Sequence, residues 1–173
     1  DSGLYSGDFR APERLFAVLM QVAGRAGRAG AASEVVVQTR FGLHPLFDAL
    51  ARYDFASFAN AQLAERRASA LPPFVFQALL RVEAVKLETA IDFLARARSA
   101  GVPDPSGAPE PSVTLFDPVP MPMARLAGKE RAQLLLESAS RKALHAFLDA
   151  WLPRVAGLKG AVRWQIEVDP IEI

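Results

Sequence analysis

Two consecutive prolines, Pro72 and Pro73, follow Leu71 in this 173-residue chain and limit what it can fold into. Proline lacks a backbone N–H and fixes its own φ angle, so a regular helix or central strand does not continue through such a pair. We therefore predict a domain boundary here, with one domain in residues 1–70 and a second in residues 71–173. A hydrophobic content of 51% is enough for a buried core.

The first part of the chain combines helical periodicity with one short β-branched run. Glu13–Ala23 is apolar on more than one face, which predicts a helix packed between other elements. Glu34–Thr39 reads EVVVQT between loop residues and predicts a buried strand. His44–Arg67 is a second helical stretch, with a break expected near Tyr53-Asp54. This mixture indicates an α/β class.

The second part alternates strands and helices. Ala161–Val168 alternates apolar and polar residues and is the clearest strand pattern in the chain. The other predicted elements are strands at Phe74–Glu83, Val113–Phe116 and Arg131–Ser138, and helices at Ala84–Ala100 and Ser140–Leu152. For Arg131–Ser138 a helix remains an alternative. The order β-α-β-β-α-β predicts an α+β domain of the split βαβ class, with an antiparallel sheet covered by two helices.

Three local signals refine this second domain. Ser140 is suited to cap the last helix, and Pro153 is expected to end it. Prolines at positions 118, 120 and 122 indicate an edge strand or a bend after Val113–Phe116.

Composition restricts the classes of function. The chain contains no cysteine, which excludes disulfides and cysteine-based zinc sites within it. It has no apolar run long enough for a membrane span. The net charge of +1 gives no bulk electrostatic indication of nucleic-acid binding. It starts with Asp1 rather than Met and shows no signal peptide, so we expect it to begin inside a longer protein.

The residues most suggestive of chemistry form the stretch QVAGRAGR, from Gln21 to Arg28. Gly24, Gly27 and Gly30 are expected to end the preceding helix in an arginine-bearing loop. Arginine binds phosphate through a planar fork of donors, so two arginines beside a nucleotide could stabilise charge on a transferred phosphoryl group. From residue types alone, a solvated arginine-rich loop is an equally good interpretation.

Several motifs carry a resemblance to a known family. QVAGRAGR resembles the Q-x-x-G-R-x-G-R motif VI of superfamily-two helicases. Other segments are similar to the PriA family of replication-restart DNA helicases: Asp8–Arg14 (DFRAPER), His44–Leu46, Glu65–Arg67, Leu71–Phe74 and Trp164–Glu172 (WQIEVDPIE). The resemblance covers the chain from end to end and is looser in residues 85–140.

For the first domain, the resemblance implies the end of the second RecA-like lobe of an ATP-dependent 3′-to-5′ DNA helicase. Arg28 would be the arginine finger, with Arg25 as its rival, while Gln21, Gly24 and Gly27 would lie at the nucleotide. ATP and Mg²⁺ would be the cofactors of the intact enzyme, and zinc would be bound outside this segment. The chain itself has no G-x-x-x-x-G-K-[ST] loop, so we expect no ATPase activity from it alone.

For the second domain, the resemblance implies a fold similar to a small-subunit ribosomal protein. Expected partners are branched fork DNA, the acidic C-terminal tail of single-stranded-DNA-binding protein and other primosome proteins. The tail would bind in a pocket between the motor and this domain, where Arg141 matches a basic position at the start of the last helix. His145 lies one turn later, where the family can carry a glutamine instead. The DNA or tail contacts would come from Arg125, Lys129, Arg131, Arg141, Lys142 and His145. The implied location is the bacterial cytoplasm, at the nucleoid.

Interpretations without a binding role also stay open for the basic residues of this domain. The basic residues could be ordinary solvated surface, and His145 could be a half-buried surface histidine. The chain could also be a stand-alone nucleic-acid or protein-binding module, or part of another superfamily-two helicase that shares motif VI.

Overall fold

The computed structural model describes residues 1, 3–5, 8–26, 34–101 and 113–173. These residues divide into two compact units, Asp1–Leu71 and Pro72–Ile173. We call the first the helical unit and the second the sheet unit. Among the described residues, no helix is both long and apolar enough to cross a membrane.

The helical unit contains α1 (Ala11–Ala26), α2 (Pro45–Ala51) and α3 (Phe55–Ala68). Its core is centred on Phe16, whose ring stacks on that of Phe58 with 4.1 Å between centroids. Side chains cap the two shorter helices: Nδ1 of His44 accepts from the N–H of Leu46, and Asp54 accepts from the N–H of Ser57. The predicted break near Tyr53-Asp54 is therefore confirmed.

Two expectations for this unit are wrong. Residues 34–39 form neither strand nor helix, and Val36 is 81% exposed. A strand needs a neighbouring strand for its backbone hydrogen bonds, and the described part of this unit contains none. Helix α1 is not packed on all sides, because Val18 and Val22 are about half exposed. The regular elements described in this unit are all helices, so the expected α/β class is not observed there.

The sheet unit follows the predicted order of strands and helices, with one additional strand. Its elements are β1 (Phe76–Ala84), α4 (Leu87–Gly101), β2 (Thr114–Leu115), β3 (Val119–Leu126), β4 (Lys129–Ser138), α5 (Arg141–Ala156) and β5 (Val162–Val168). The region expected as one strand at Val113–Phe116 is β2 alone. The prolines that follow it lie in or beside the separate strand β3, which pairs only with β4 among the described strands, so the predicted edge position is confirmed.

All pairings in the sheet are antiparallel. Strand β1 lies between β4 and β5, and β4 also pairs with β2 and with β3 along different parts of its length. Each β-α-β crossover therefore spans an intervening strand, which confirms the split βαβ arrangement. The alternative of a helix at Arg131–Ser138 is excluded, because these residues lie in β4.

Both helices of the sheet unit pack on one face of the sheet. The core alternates along β1 through Ala78, Leu80, Val82 and Ala84, and along β5 through Val162, Trp164 and Ile166. The alternation in β5 is the one that the sequence pattern predicted. Trp151 of α5 is 1% exposed, and its Nε1–H donates to the carbonyl of Ala97 in α4 at 2.8 Å. This bond satisfies the indole donor inside the core and ties the two helices together.

Helix α5 starts as predicted but ends later. The hydroxyl of Ser140 accepts from the N–H of Ala143, which confirms the cap. The helix then continues through Pro153 to Ala156, so the prediction that Pro153 ends it is wrong. A proline inside a helix costs on the order of 3 kcal/mol. Full burial of Trp151 and Val155 on the flanking turns offsets this cost.

Candidate functional site

The motif residues that the structure describes lie on the last turns of α1. Gln21 and Arg25 are one helical turn apart, so they share a face of the helix, and both are exposed. Arg28 and Gly27 lie outside the described residues, so their predicted roles stay predictions. Together, Gln21 and Arg25 present an amide and a guanidinium to the same side, where both could contact one phosphate-bearing ligand.

Gly24 does not have the expected position in a turn. Helix α1 runs two residues beyond it, to Ala26, so the prediction that Gly24 ends the helix is wrong. A glycine inside a helix costs only about 1 kcal/mol relative to alanine, which the helix tolerates. A Cβ built at Gly24 would meet nothing within 4 Å among the described neighbours. As far as the described residues go, a ligand could approach the backbone at Gly24 closely.

The DFRAPER segment has a structural role that sequence reasoning missed. Oδ1 of Asp8 accepts from the N–H of Arg10 at 2.8 Å, and the other carboxylate oxygen is paired with Arg14. Partial burial raises the pKa of Asp8, but the Arg10 N–H and the Arg14 guanidinium outweigh it and hold the pKa below its usual range. Asp8 therefore fixes the turn that leads into α1.

Arg66 of α3 anchors the same segment. Its side chain is 10% exposed, and Nη2 lies 2.6 Å from a carboxylate oxygen of Glu13 and 3.3 Å from the carbonyl of Phe9. The guanidinium carbon also lies 4.8 Å from the centre of the Phe9 ring. The family-like segments at Asp8–Arg14 and Glu65–Arg67 are thus brought together by a buried arginine.

In the sheet unit, Arg141 occupies the first position of α5, just after the Ser140 cap. Its Nη1 lies 2.9 Å from Oδ2 of Asp169, and its guanidinium carbon lies 4.7 Å from the centre of the Phe76 ring. The side chain of Arg141 is still 56% exposed. The Phe76 ring and the Asp169 carboxylate hold the guanidinium in place, while more than half of the side chain stays accessible to solvent.

Lys142 and His145 extend this surface along α5. His145 lies one turn after Arg141 and so shares its face, and Lys142 follows Arg141 directly. Both are exposed, so the expectation of a half-buried His145 is wrong. Neither forms an ion pair with another residue that the structure describes. We call Phe76, Arg141, Lys142, His145 and Asp169 the Arg141 cluster.

The other basic candidates surround the turn between β3 and β4. Ala127 and Gly128 both have positive φ values, 49° and 76°, as a tight two-residue hairpin turn requires. Nε of Arg125 lies 3.7 Å from Glu130, in a pair that is largely exposed on the arginine side, and Lys129 is exposed. Arg131 is different, because its side chain is only 17% exposed and lies on the sheet beside Glu83.

The predicted binding residues therefore separate into two groups at opposite ends of β4. Lys129 begins this strand and Ser138 ends it, three residues before Arg141. At about 3.3 Å per residue, the strand places the hairpin and the Arg141 cluster roughly 30 Å apart. Sequence reasoning predicted neither this separation nor the contacts of Arg141 with Phe76 and Asp169, because Phe76 lies far before Arg141 in the sequence and Asp169 lies far after it.

Comparison with known proteins gives a consistent picture. Residues 67–171 match the family model described as the primosomal protein N C-terminal domain. Over the full length of this chain, the sequence is 37% identical to the replication restart protein PriA of Haemophilus influenzae and 34% identical to that of Treponema pallidum. It is 29% identical to the Bacillus subtilis protein of the same name over 86% of its length. It spans 23%, 26% and 18% of these relatives, respectively, or about a quarter or less.

Proposed function

We propose that this chain, which belongs to the family of primosomal protein N C-terminal domains, is the C-terminal segment of an ATP-dependent 3′-to-5′ DNA helicase that restarts replication at stalled forks. Its own contribution would be binding rather than catalysis. The observation that carries the proposal is the Arg141 cluster, where an exposed guanidinium is held ready for an anionic partner.

The proposed partner of the Arg141 cluster is the acidic C-terminal tail of single-stranded-DNA-binding protein. Arg141 can offer a free edge of donors to a terminal carboxylate. The N-terminus of α5 adds a partial positive charge, and Lys142 and His145 lie beside it. Binding of this tail would recruit the helicase to single-stranded DNA that is already coated.

The second proposed partner is fork DNA, bound through phosphate contacts at the hairpin end of the sheet unit. Lys129 and Arg125 are exposed there, on the strands that flank a two-residue turn. The chain has a net charge of only +1, so affinity would depend on this local concentration of cations rather than on overall charge. Assembly of other primosome proteins at the fork would follow binding.

The helical unit is proposed to be the end of the second RecA-like lobe. Gln21 and Arg25 would contact a nucleotide together with Arg28, and the remaining ligands of ATP and Mg²⁺ would come from outside this chain. Zinc would likewise be bound elsewhere, since this chain has no cysteine. The chain alone, mixed with ATP, Mg²⁺ and fork DNA, should show no phosphate release. Turnover that disappears in Arg28→Ala would contradict this assignment.

The tail-binding proposal is tested by fluorescence anisotropy with a labelled acidic peptide that ends in a free carboxylate. Arg141→Gln should weaken binding at least tenfold, because a hydrogen bond to a charged group contributes about 1.5–3 kcal/mol. Arg154→Gln is the matched control, since it removes the same charge from an exposed position at the other end of α5. Equal affinities of the wild type and Arg141→Gln would refute the assignment.

A further inference from the structure

One face of the sheet carries neither of the two helices described in the sheet unit. Along β1, the core residues Leu80, Val82 and Ala84 alternate with Arg81 and Glu83, whose side chains therefore lie on the opposite face. We call this the open face. Because α4 and α5 both pack against the core side, neither helix covers the open face.

Three arginines on three neighbouring strands meet at the hairpin end of the open face. Glu83 of β1 is directly opposite Arg131 of β4 and also directly opposite Arg163 of β5. Arg81 lies one row away. Since neighbouring strands are about 4.8 Å apart, the strands that carry Arg131 and Arg163 are separated by roughly 10 Å, with Glu83 between them.

These side chains surround a cavity of about 150 Å³, lined by Arg81, Glu83, Arg131 and Arg163, with Met121 and Gln165 at its sides. A second cavity adjoins it, shares Glu83 and Arg163, and adds Lys129 from the hairpin. The charged groups that line the two cavities are four cations and one carboxylate. Since a water molecule occupies about 30 Å³, the first cavity has room for a small anion.

The four cations differ in how many of their N–H donors already have an acceptor within the protein. Arg81 is engaged, because Nη1 lies 2.8 Å from Glu167 and Nη2 donates to the carbonyl of Glu172 at 2.6 Å. Arg131 has only Glu83, at 3.6 Å from Nε, which is too long for a hydrogen bond and leaves that buried Nε–H without an acceptor. Arg163 and Lys129 are exposed and form no ion pair within the described ranges.

The chemistry of this surface favours phosphate over bases. Trp164 also lines the cavity, but it is opposite Val82 and packs against the core, so its ring is not presented as a stacking platform on the open face. Arginine forks that lack acceptors are suited to phosphate oxygens.

We propose that the hairpin end of the open face binds the phosphate backbone of DNA, with Arg131 and Arg163 as the contacting residues and Lys129 at its margin. This inference rests on the proposed DNA-binding function and identifies the surface that performs it. Arg81, whose terminal nitrogens are already bonded, supports the site through its charge. Glu83 sets the spacing of the two contacting arginines.

The test uses the whole chain and labelled oligonucleotide forks with single-stranded arms, in two different sequences, with anisotropy measured over a range of salt concentrations. Arg163→Gln should weaken binding to both sequences by the same factor, about five- to twentyfold at low salt. The slope of log K against log salt should fall by about 0.7 for the lost phosphate contact. Arg163→Lys should retain most of the slope. Arg52→Gln, at an exposed position in the helical unit, is the matched control and should bind as the wild type does.

The outcomes separate this inference from the proposed function. If the wild type binds DNA and Arg163→Gln and Arg131→Gln both bind with unchanged affinity and slope, the open face is not the site, although DNA binding stands. If the wild type binds neither oligonucleotide, the DNA-binding function itself fails. If inorganic phosphate raises the melting temperature through Arg163 while DNA does not bind, the surface is an anion site and the assignment to DNA is overturned.

Discussion

The carboxylate of Asp169 lies 2.9 Å from the guanidinium of Arg141, so the cation proposed to receive a partner already has a carboxylate beside it. Asp169 is fixed in this position by its own backbone. Its N–H donates to the carbonyl of Gln77 at 2.9 Å, and its φ of 52° turns the chain after β5. An incoming carboxylate must therefore share Arg141 with Asp169 or displace it.

Removing the charge of Asp169 should strengthen binding of an acidic peptide. Both partners of the pair are about half exposed, and exposed pairs contribute roughly 0.2–1 kcal/mol. Asp169→Asn should consequently lower the Kd of the labelled peptide by about two- to fivefold, measured by anisotropy. Glu167→Gln is the matched control, because it removes a carboxylate two residues earlier in the chain that pairs with Arg81 instead. Weaker binding by Asp169→Asn would mean that Asp169 positions Arg141 rather than competing for it.

Two helical glycines should respond in opposite directions to alanine. A Cβ at Gly101 would lie 2.8 Å from Leu115 Cδ2 and 3.0 Å from both Phe147 and Trp151, so Gly101→Ala should destabilise the sheet unit by about 1–3 kcal/mol. Gly24→Ala meets no described neighbour and should stabilise α1 by about 0.5–1 kcal/mol. Urea unfolding measures both free energies. Equal effects of the two substitutions would contradict the packing described around Gly101.

The pair between Arg66 and Glu13 should show a measurable coupling energy. Arg66→Met keeps most of the buried side-chain volume but removes the 2.6 Å contact with Glu13, and should cost about 1–2 kcal/mol of unfolding free energy. Glu13 is 46% exposed, so its loss of a partner leaves no fully buried charge. A double-mutant cycle with Glu13→Gln isolates the interaction. Strictly additive effects would show that the two side chains do not interact in solution.

Asp8 should make the helical unit sensitive to acid. Its pKa in the folded protein lies below the ordinary value of 3.8, so the carboxylate stabilises the fold above that value and this contribution is lost as the pH falls through the folded pKa. Asp8→Asn should therefore lose less stability between pH 7 and pH 3 than the wild type, in urea titrations at each pH. Asp48→Asn, an exposed site on α2, serves as the control. An unchanged pH profile in Asp8→Asn would argue against this role.

The sequence predicted most reliably those features that depend only on residues close together in the chain. The alternation at Ala161–Val168, the Ser140 cap and the break before Asp54 all depend on neighbouring residues, and each is confirmed. Glu34–Thr39 has strand-like residues, but a strand also requires a partner that periodicity does not supply. Pro153 illustrates the reverse case, because buried neighbours keep a helix intact where local chemistry predicts its end.

The candidate sites show the same division between local and distant information. Arg141 could be selected from its place after a capping serine, but Phe76 and Asp169 reach it only through the pairing of β1 with β4 and β5. Likewise, Arg131 is only two residues from Lys129 in the sequence. The strand register places it directly opposite Glu83, a residue of β1 that comes 48 positions earlier in the chain.

Strand β4 has a further consequence, because a hydrogen-bonded central strand behaves as a rigid spacer rather than a flexible linker. It extends from Lys129 to Ser138 and would keep ligands at its two ends roughly 30 Å apart. A protein tail held at one end and a DNA strand held at the other would not compete for space. If the tail and the DNA strand belong to one nucleoprotein assembly, binding of one raises the effective concentration of the other near the domain. Two weak contacts could then together hold the domain at a fork.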